Sequence, residues 1–278
     1  MREIIAEYKA AGKAMGHFNF SDSNQLEAIA EASREAGLPV IAGLSEGERD
    51  YFPLAHARPL VDAYQKEGVQ IYLNADHTYS LEKAKEAIDA GVDCVVVDGT
   101  KLLFEENISL VKQVVEYAQG RALVEGELGY IGQGSKQLDE LPEGVTEANL
   151  TTPEDAKKFV METGVDLFAP AVGNIHGMLK NAAEPRLHAE RVVAIAQVVG
   201  VPLVLHGASG NTEDDIVACI RAGVAVVHIN TELRVAYHDA LKESLQSGET
   251  TPYKFLEPAV GQMREFLVAK IKLFACQQ

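Results

Sequence analysis

The sequence predicts an α/β fold: a (β/α)8 TIM barrel with extra C-terminal helices. Eight short apolar runs alternate with helix-length amphipathic stretches, as expected for parallel strands covered on both faces. Eight such repeats in 278 residues suit this barrel. A doubly wound sheet is the alternative, but no G-x-G-x-x-G motif opens a helix after the first predicted strand. Because no linker or low-complexity segment interrupts the pattern, we expect a single barrel domain over residues 1–278.

The predicted strands share a compact, mostly apolar run. In chain order they are Met15–Phe20, Val40–Leu44, Val69–Ala75, Cys94–Asp98, Ala122–Leu128, Leu167–Val172, Leu203–His206 and Val224–Asn230. The helices predicted between them have apolar residues at helical spacing. They are Ser23–Ala36, Arg58–Glu67, Leu81–Ala90, Glu106–Ala118, Pro153–Glu162, His188–Val199 and Glu213–Ala222. Glu3–Ala11 precedes the first strand, and Val235–Gln246 and Pro258–Phe274 follow the eighth.

Local signals mark several helix ends. Ser80 and Thr152 are suitable N-caps, and Pro153 is favourable at the first helical position. Five glycines lie where a predicted helix must stop before the next strand, as C-terminal caps do: Gly37, Gly91, Gly164, Gly200 and Gly223. These signals support the order of strands and helices.

The composition excludes several classes of partner. The net charge is −16 and the pI about 4.9. Such a surface repels nucleic acid and anionic membranes, whose phosphates need Lys and Arg. No apolar run approaches the roughly 20 residues of a membrane span, and the first residues have an amphipathic helix pattern rather than that of a signal peptide. Cys94, Cys219 and Cys276 are scattered, which favours reduced cysteines in a cytoplasmic protein.

Three histidines lie where predicted strands end. His77 and His206 directly follow apolar runs, and His176 lies a few residues beyond another. A single strand-end histidine is more often structural, but three at equivalent positions favour a common site at the barrel mouth. Three neutral imidazoles can bind a divalent metal, most plausibly zinc, and leave one position open for substrate.

Carboxylates also occupy strand ends. Asp76 precedes His77, where it could cap the next helix or transfer a proton beside the metal. Asp98 and Glu127 end two further strands, and either could form a salt bridge or lie near the metal. Nearly every predicted strand ends in a polar residue, which packing alone does not explain.

The loops after the last two strands suit a phosphate group. His206–Gly210 supplies small residues and the Ser209 hydroxyl before a helix, and Asn230-Thr231 does the same after the eighth strand. Backbone N–H groups, hydroxyls and helix N-termini bind phosphate, and barrels often do so in these two loops. Lys180 could contact the same phosphate or be a solvated lysine.

At these residues the chain resembles the class II, metal-dependent fructose- or tagatose-bisphosphate aldolases, nearly end to end. The most specific motifs are the Asp76-His77 pair and the run Leu-His-Gly-Ala-Ser-Gly at 205–210. Further similar segments are Gly16–Asn19, Ser45–Gly47, Val124–Gly129, Gly173–Gly177 and Asn230–Glu232.

The resemblance implies a role for each matching residue. His77, His176 and His206 would bind the catalytic zinc, and Asp76 would protonate the aldehyde oxygen. Asp98 and Glu127 match carboxylates at or near alternative metal positions. Asn19 and Ser45 match positions near the substrate. The dihydroxyacetone phosphate site would include Gly177, Gly207, Ala208, Ser209, His228, Ile229, Asn230 and Thr231, with Lys180 nearby. Family members often also bind a monovalent cation.

Three departures lie around the substrate rather than the metal. The run Gly132–Lys136 lacks the loop acid often assigned to proton abstraction, so the general base is not identified. His228 stands where the family usually has Asn, and Thr78 where a small residue, often Gly, is usual. The loop belongs to a long irregular stretch, Gly129–Leu150, which we expect to be either a lid or a surface insertion.

We therefore expect reversible cleavage of a ketose 1,6-bisphosphate, fructose 1,6-bisphosphate first and tagatose 1,6-bisphosphate next, to dihydroxyacetone phosphate and an aldehyde. His228 and the altered loop keep another phosphorylated ketose open, with a deoxy-acid or sulfonated aldehyde as product. A zinc hydrolase and a noncatalytic subunit are weaker alternatives. No predicted strand carries a lysine near its C-terminal end for a Schiff base. Resemblance also implies a homo-oligomer, a dimer or tetramer.

Overall fold

The computed structural model describes residues 1–132, 134–143, 145–146 and 149–277, and its strands form a closed parallel barrel. The strands are β1 (Met15–Asn19), β2 (Val40–Leu44), β3 (Ile71–Thr78), β4 (Cys94–Val97), β5 (Leu123–Leu128), β6 (Gln137–Leu138), β7 (Leu167–Pro170), β8 (Met178–Leu179), β9 (Leu203–Leu205) and β10 (Val224–Ile229). Gly16 of β1 aligns with Val40 of β2 and Val227 of β10, which closes the barrel. β6 and β8 pair separately. The predicted TIM barrel is confirmed.

Helices surround the barrel. They are α1 (Arg2–Ala10), α2 (Ser23–Ala36), α3 (Glu46–Tyr51), α4 (Leu54–Lys66), α5 (Leu81–Asp89), α6 (Phe104–Ala118), α7 (Pro153–Thr163), α8 (Ala189–Val199), α9 (Glu213–Ala222), α10 (Thr231–Ser244) and α11 (Pro252–Phe274). The Ser80 and Thr152 side chains accept hydrogen bonds from Lys83 N and Asp155 N, so both predicted N-caps are present. Among the described residues, no helix is long and apolar enough to cross a membrane.

Helix α1 closes the N-terminal end of the barrel. Ile5 of α1 is 1% exposed and packs with the first residues of several strands, including Met15 and Cys94. Cys94 is a free, buried cysteine and packs as a small core residue. Because this end is filled with apolar side chains, the polar strand ends face the opposite end, the barrel mouth.

Helix α11 covers the β1 side of the barrel. It packs on α2 and α10, and its Phe274 ring stacks 6.4 Å from that of Phe18. The sequence predicts that this helix begins at Pro258, whereas in the structure it begins at Pro252. Pro252 occupies the first turn, where its missing N–H needs no partner, and Pro258 is accommodated inside the helix.

Candidate metal centre at the barrel mouth

The three histidines converge. His77 lies near the end of β3, His206 directly follows β9, and His176 lies in the loop after β7. The centroid of the His77 ring is 4.7 Å from that of His176 and 5.1 Å from that of His206. Each residue offers a ring nitrogen, and these three atoms lie within 4.8 Å of one another. One ion could therefore contact all three imidazoles.

Partners behind two of the rings select the nitrogen that faces the centre. The Nδ1 atom of His176 lies 3.1 Å from the Gly132 carbonyl oxygen, and its buried Nε2 has no hydrogen-bond partner in the described part of the chain. His206 Nε2 lies 2.5 Å from Glu125 Oε1, which leaves Nδ1, 3.7 Å from Glu127 Oε1, to face the centre. Such partners orient metal-binding imidazoles and fix their tautomers. The unpartnered nitrogen of His176 fits a metal ligand.

His77 is held by carboxylates at the ends of two other strands, Asp98 just after β4 and Glu127 in β5. Its Nδ1 atom lies 2.9 Å from Glu127 Oε1 and 3.2 Å from Asp98 Oδ2. Its backbone has a φ of 36°, a left-handed conformation that is rare for a residue with a side chain. A strained conformation at a candidate ligand is consistent with a functional constraint.

The electrostatics of the centre suit a cation. Although burial alone would lower the pKa of His77, the charges of Asp76 and Glu127 raise it well above the usual range. Burial, assisted by the neighbouring histidines, lowers the pKa of His176 to about 3. Burial and the charge of Asp98 raise the pKa of Glu127. A divalent ion would instead stabilise neutral imidazoles beside ionised carboxylates, which is the donor set that zinc takes.

Asp76 points one oxygen into the centre. The Asn19 amide donates to Oδ2 at 2.9 Å, whereas the buried Oδ1 has no hydrogen bond from a described residue. Oδ1 lies 3.8 Å from His77 Nε2 and 3.6 Å from His228 Nδ1. Although burial opposes it, the charge of His77 and the nearby His228 ring lower the pKa of Asp76. This carboxyl group can exchange a proton with a molecule beside the triad.

A second pair of histidines lies beside the triad. The rings of His17 and His228 stack with centroids 3.6 Å apart and planes within 8°. The other face of His228 lies 3.9 Å from the His206 ring. His17 Nε2 is 2.9 Å from Asn74 Nδ2. From the sequence, His17 is assigned no role, because this residue lies within a predicted strand and not at its end. A polar residue inside an apolar strand could have indicated a position in the site.

The residues predicted to hold a phosphate line the same cavity as the triad. Its wall includes Asn19, Gly177, Gly207, Ser209, His228, Asn230 and Thr231. Helix α10 begins at Thr231, so its N-terminus faces this cavity. A Cβ on Gly207 would lie 2.1 Å from the Ile175 carbonyl oxygen, so this close approach requires glycine.

Four predicted substrate residues lie outside that wall. Ser45 lines the adjoining part of the cavity instead. Ala208 and Ile229 are fully buried and form no part of the described lining. The Lys180 ammonium lies 3.0 Å from Asp139 Oδ1 and also does not line the cavity. Lys180 follows β8 and Asp139 follows β6, so the pairing of these two strands places the lysine beside Asp139 and not in the lining of the triad cavity.

An ion-paired network under the rim was not predicted. Glu48 of α3 accepts hydrogen bonds from Asn19 and from the Ser45 backbone, and contacts Arg234 of α10. Arg49 donates to the Asp76 carbonyl oxygen at 2.8 Å and thereby supports the end of β3. The spacing of Ser45 and Glu48 is that of a capping box, which could have indicated α3.

The family model described as "Fructose-bisphosphate aldolase class-II" matches residues 1–278. The chain belongs to this family. The fructose-bisphosphate aldolase of Staphylococcus epidermidis is 36% identical, over 99% of this chain and 96% of that protein. That of Geobacillus stearothermophilus is 35% identical, over 96% of each. The crystal structure of the YdjI aldolase from Escherichia coli K12 matches with a TM-score of 0.85 and 30% identity, over 98% of this chain and 96% of that one.

This membership confirms the family and the aldolase activity that the motifs predict. The chain is an aldolase, a lyase of carbohydrate metabolism. The strand-end histidines and the two small-residue loops thus belong to a barrel whose relatives carry the same activity name over almost their whole length.

Proposed function

We propose that this chain is a zinc-dependent aldolase, a single barrel domain that reversibly cleaves a ketose carrying a phosphate at C1. The products would be dihydroxyacetone phosphate and an aldehyde. The observation that supports this most is the convergence of His77, His176 and His206 beside Asp76 and the small-residue loop at Gly207 and Ser209. The names of the curated relatives favour fructose 1,6-bisphosphate as substrate, with tagatose 1,6-bisphosphate as the next compound to test.

His77, His176 and His206 would hold the zinc ion. Zinc would supply a Lewis acid that polarises the substrate carbonyl and stabilises the negative charge left by C–C cleavage. Glu125 would fix the ring of His206, and the Gly132 carbonyl that of His176. Asp98 and Glu127 would orient His77, or offer an alternative position for the ion.

Asp76 would move the proton at the aldehyde oxygen. In the direction of synthesis it would protonate that oxygen as the new C–C bond forms, and in cleavage it would take the proton back. Asn19 holds Oδ2, which directs Oδ1 toward the cavity. Arg49 fixes the backbone of Asp76 from below. The carboxyl group is thus placed before the substrate arrives.

The phosphate at C1 would bind at the opposite side of the triad. The backbone at Gly177 and Gly207, the Ser209 hydroxyl and the N-terminus of α10 at Thr231 would surround it. Backbone N–H groups and a helix N-terminus offset the strongly negative protein. A monovalent cation, which the family resemblance suggests, would assist at the same place.

Product identification tests this proposal. The zinc-loaded protein is incubated with fructose 1,6-bisphosphate, tagatose 1,6-bisphosphate and fructose 1-phosphate, with and without a chelator. We expect dihydroxyacetone phosphate from at least one ketose, with loss after chelation and recovery on adding zinc. Release of inorganic phosphate without dihydroxyacetone phosphate would favour a zinc hydrolase instead.

Family resemblance and composition, rather than the site, support a proposal for the protein's assembly and location. We propose a homo-oligomer, a dimer or tetramer, in the cytoplasm. The chain carries a net charge of −16, which suits neither nucleic acid nor anionic membranes as partners. Sedimentation of the purified chain tests the oligomer directly.

A further inference from the structure

The cavity has a second end, away from the phosphate cradle. Its wall includes Ser45, Glu46, Tyr79, Ser135 and Arg234, together with Asp76 and His77 of the centre. If the C1 phosphate binds at Gly207 and Ser209, the released aldehyde half must lie at this second end, beside Asp76. The chemistry of this wall therefore decides which aldehydes the site accepts.

Arg234 is the one lysine or arginine among the described residues that line this end. Its charge is already paired, because Nη2 lies 2.5 Å from Glu48 Oε1. Its Nη1 donates to the Ser135 carbonyl oxygen at 3.2 Å. Lys101 lies over the Tyr79 ring, with Nζ 5.9 Å from the centroid, and is not part of the described lining.

Glu48 cannot release Arg234 without cost. Glu48 is only 6% exposed. Its Oε2 atom already accepts hydrogen bonds from Asn19 Nδ2, Ser45 N and Ser45 Oγ at 2.7–3.0 Å. A phosphate that drew Arg234 away would leave a buried carboxylate without its cation, which is strongly unfavourable. The pair therefore acts as a neutral wall whose free donors are the remaining N–H groups of Arg234.

Apart from the proposed zinc ion and its ligand His77, the other charges at this end are negative. Glu46, Asp76 and Asp98 line it, and the Glu46 carboxylate accepts a hydrogen bond from Tyr79 N. A second phosphate dianion would lie among these carboxylates, and like charges repel most where water is partly excluded. Sugar hydroxyl groups, in contrast, can donate to the carboxylates and to the Ser45 hydroxyl oxygen, and can accept from the remaining N–H groups of Arg234.

We infer that the aldehyde half of the substrate carries no phosphate. Given the proposed function, the site takes a ketose 1-phosphate whose far end is neutral and bears hydroxyl groups, in preference to a ketose 1,6-bisphosphate. This reverses the order of substrates that family resemblance suggests. The cause is local: the single cation of the wall is neutralised by Glu48 of the same chain.

Matched aldehydes test the inference in the direction of synthesis. The zinc-loaded full chain is given dihydroxyacetone phosphate with either D-glyceraldehyde or D-glyceraldehyde 3-phosphate. We expect kcat/KM to be about tenfold or more higher for the unphosphorylated aldehyde, because repulsion and the Glu48 pairing oppose the phosphate. A higher value for the 3-phosphate would overturn the inference.

A variant tests the cause. Glu48→Gln keeps the size of the side chain but removes the charge that neutralises Arg234, so the ratio of the two kcat/KM values should shift toward the phosphorylated aldehyde by about tenfold. Glu82→Gln, at an exposed position on α5, removes the same charge elsewhere and should leave the ratio unchanged. Equal shifts in both variants, or none in either, would contradict a role for Glu48.

The two proposals fail differently. If no aldehyde and no ketose phosphate is turned over, the proposed aldolase function is wrong. If turnover is efficient but the phosphorylated aldehyde is preferred, only the inference about the second end fails. Fructose 1-phosphate and fructose 1,6-bisphosphate give the same comparison in the direction of cleavage.

Discussion

Two groups of histidines share the barrel mouth and differ in ring geometry. In the triad of His77, His176 and His206, the rings meet edge to face at 73–81°. His17 and His228 instead stack with planes within 8°. Rings meeting by their edges direct nitrogens toward a shared point among the three imidazoles. In the stacked pair one nitrogen of each ring instead lies near an Asp76 oxygen, with these three atoms within 4.8 Å of one another. The residue type alone does not distinguish a metal ligand from a packing partner.

Their hydrogen-bond partners differ in the same way. His77 faces Glu127 and Asp98, and His206 faces Glu125, so carboxylates surround the triad. His17 faces the neutral amide of Asn74. Burial accordingly lowers the pKa of His17 to about 4, whereas the pKa of His77 is raised by its carboxylates against the effect of burial. Carboxylates prepare the triad for a cation, and the stacked pair stays neutral.

The largest effect is expected from removing a triad ring. In His206→Ala the zinc ion loses a ligand, and we expect loss of bound zinc and at least about a 10³-fold loss of aldolase turnover. Metal analysis together with a dihydroxyacetone phosphate assay measures both. His238→Ala, at an exposed position on α10, is the matched control and should keep both properties. A His206→Ala protein with full zinc content and turnover would remove this residue from the centre.

Next is the carboxyl group beside the triad. Asp76→Ala should keep zinc, because the three imidazoles remain, but lose about 10²–10⁴-fold in kcat through loss of proton transfer. Steady-state kinetics and metal analysis on the same preparation separate the two effects. A nearly unchanged kcat would exclude Asp76 as the proton donor.

The stacked pair predicts a pH effect on stability. The pKa of His17 is lowered by burial from 6.5 to about 4, so between these values the unfolded chain binds more protons than the folded one. The contribution of His17 to the free energy of unfolding is therefore fully present above pH 6.5 and is lost as the pH falls toward 4. At pH 5 the loss is about 2 kcal/mol relative to pH 7.

Urea unfolding of the metal-free protein at pH 5 and pH 7 measures this loss. His17→Gln should reduce the difference between the two pH values, since glutamine does not titrate. His238→Gln, whose side chain is 72% exposed, should behave like the unsubstituted protein. The same pH dependence in all three proteins would contradict a neutral, buried His17.

A smaller effect is expected where the stacked pair meets the triad. His228→Asn introduces the residue that the family resemblance predicts here and removes the ring that lies against His206. Zinc content should not change, whereas kcat/KM should change by about tenfold or less, as expected for one contact with the substrate. Loss of zinc from this variant would place His228 among the ligands and remove the distinction between the two groups.

Much of the barrel could be predicted because its pattern is local. The strand Val40–Leu44 and the helices Ser23–Ala36 and Glu213–Ala222 have the predicted bounds, since apolar period and end signals agree there. Convergence of the triad was also predictable, because strand ends of a parallel barrel meet at one rim. Helix α3 was not predicted from the sequence, because its six residues are too few to show an apolar period.

The interactions that tune the site could not be predicted. Glu48 and Arg234 are 186 residues apart, and Glu125 and His206 are 81 apart, so each pair exists only after the barrel closes. Glu125 lies inside an apolar strand, where its orientation toward the barrel interior depends on the register. The extension of β3 through Thr78, with a left-handed His77, likewise depends on tertiary contacts.

The most direct test is a zinc titration of the chelated full chain, in which bound metal and dihydroxyacetone phosphate release are measured on the same samples. If the triad binds the ion that turnover needs, activity rises from near zero in proportion to bound zinc and saturates at one ion per chain. Full turnover in the metal-free chain, or zinc binding that leaves turnover unchanged, would contradict this account.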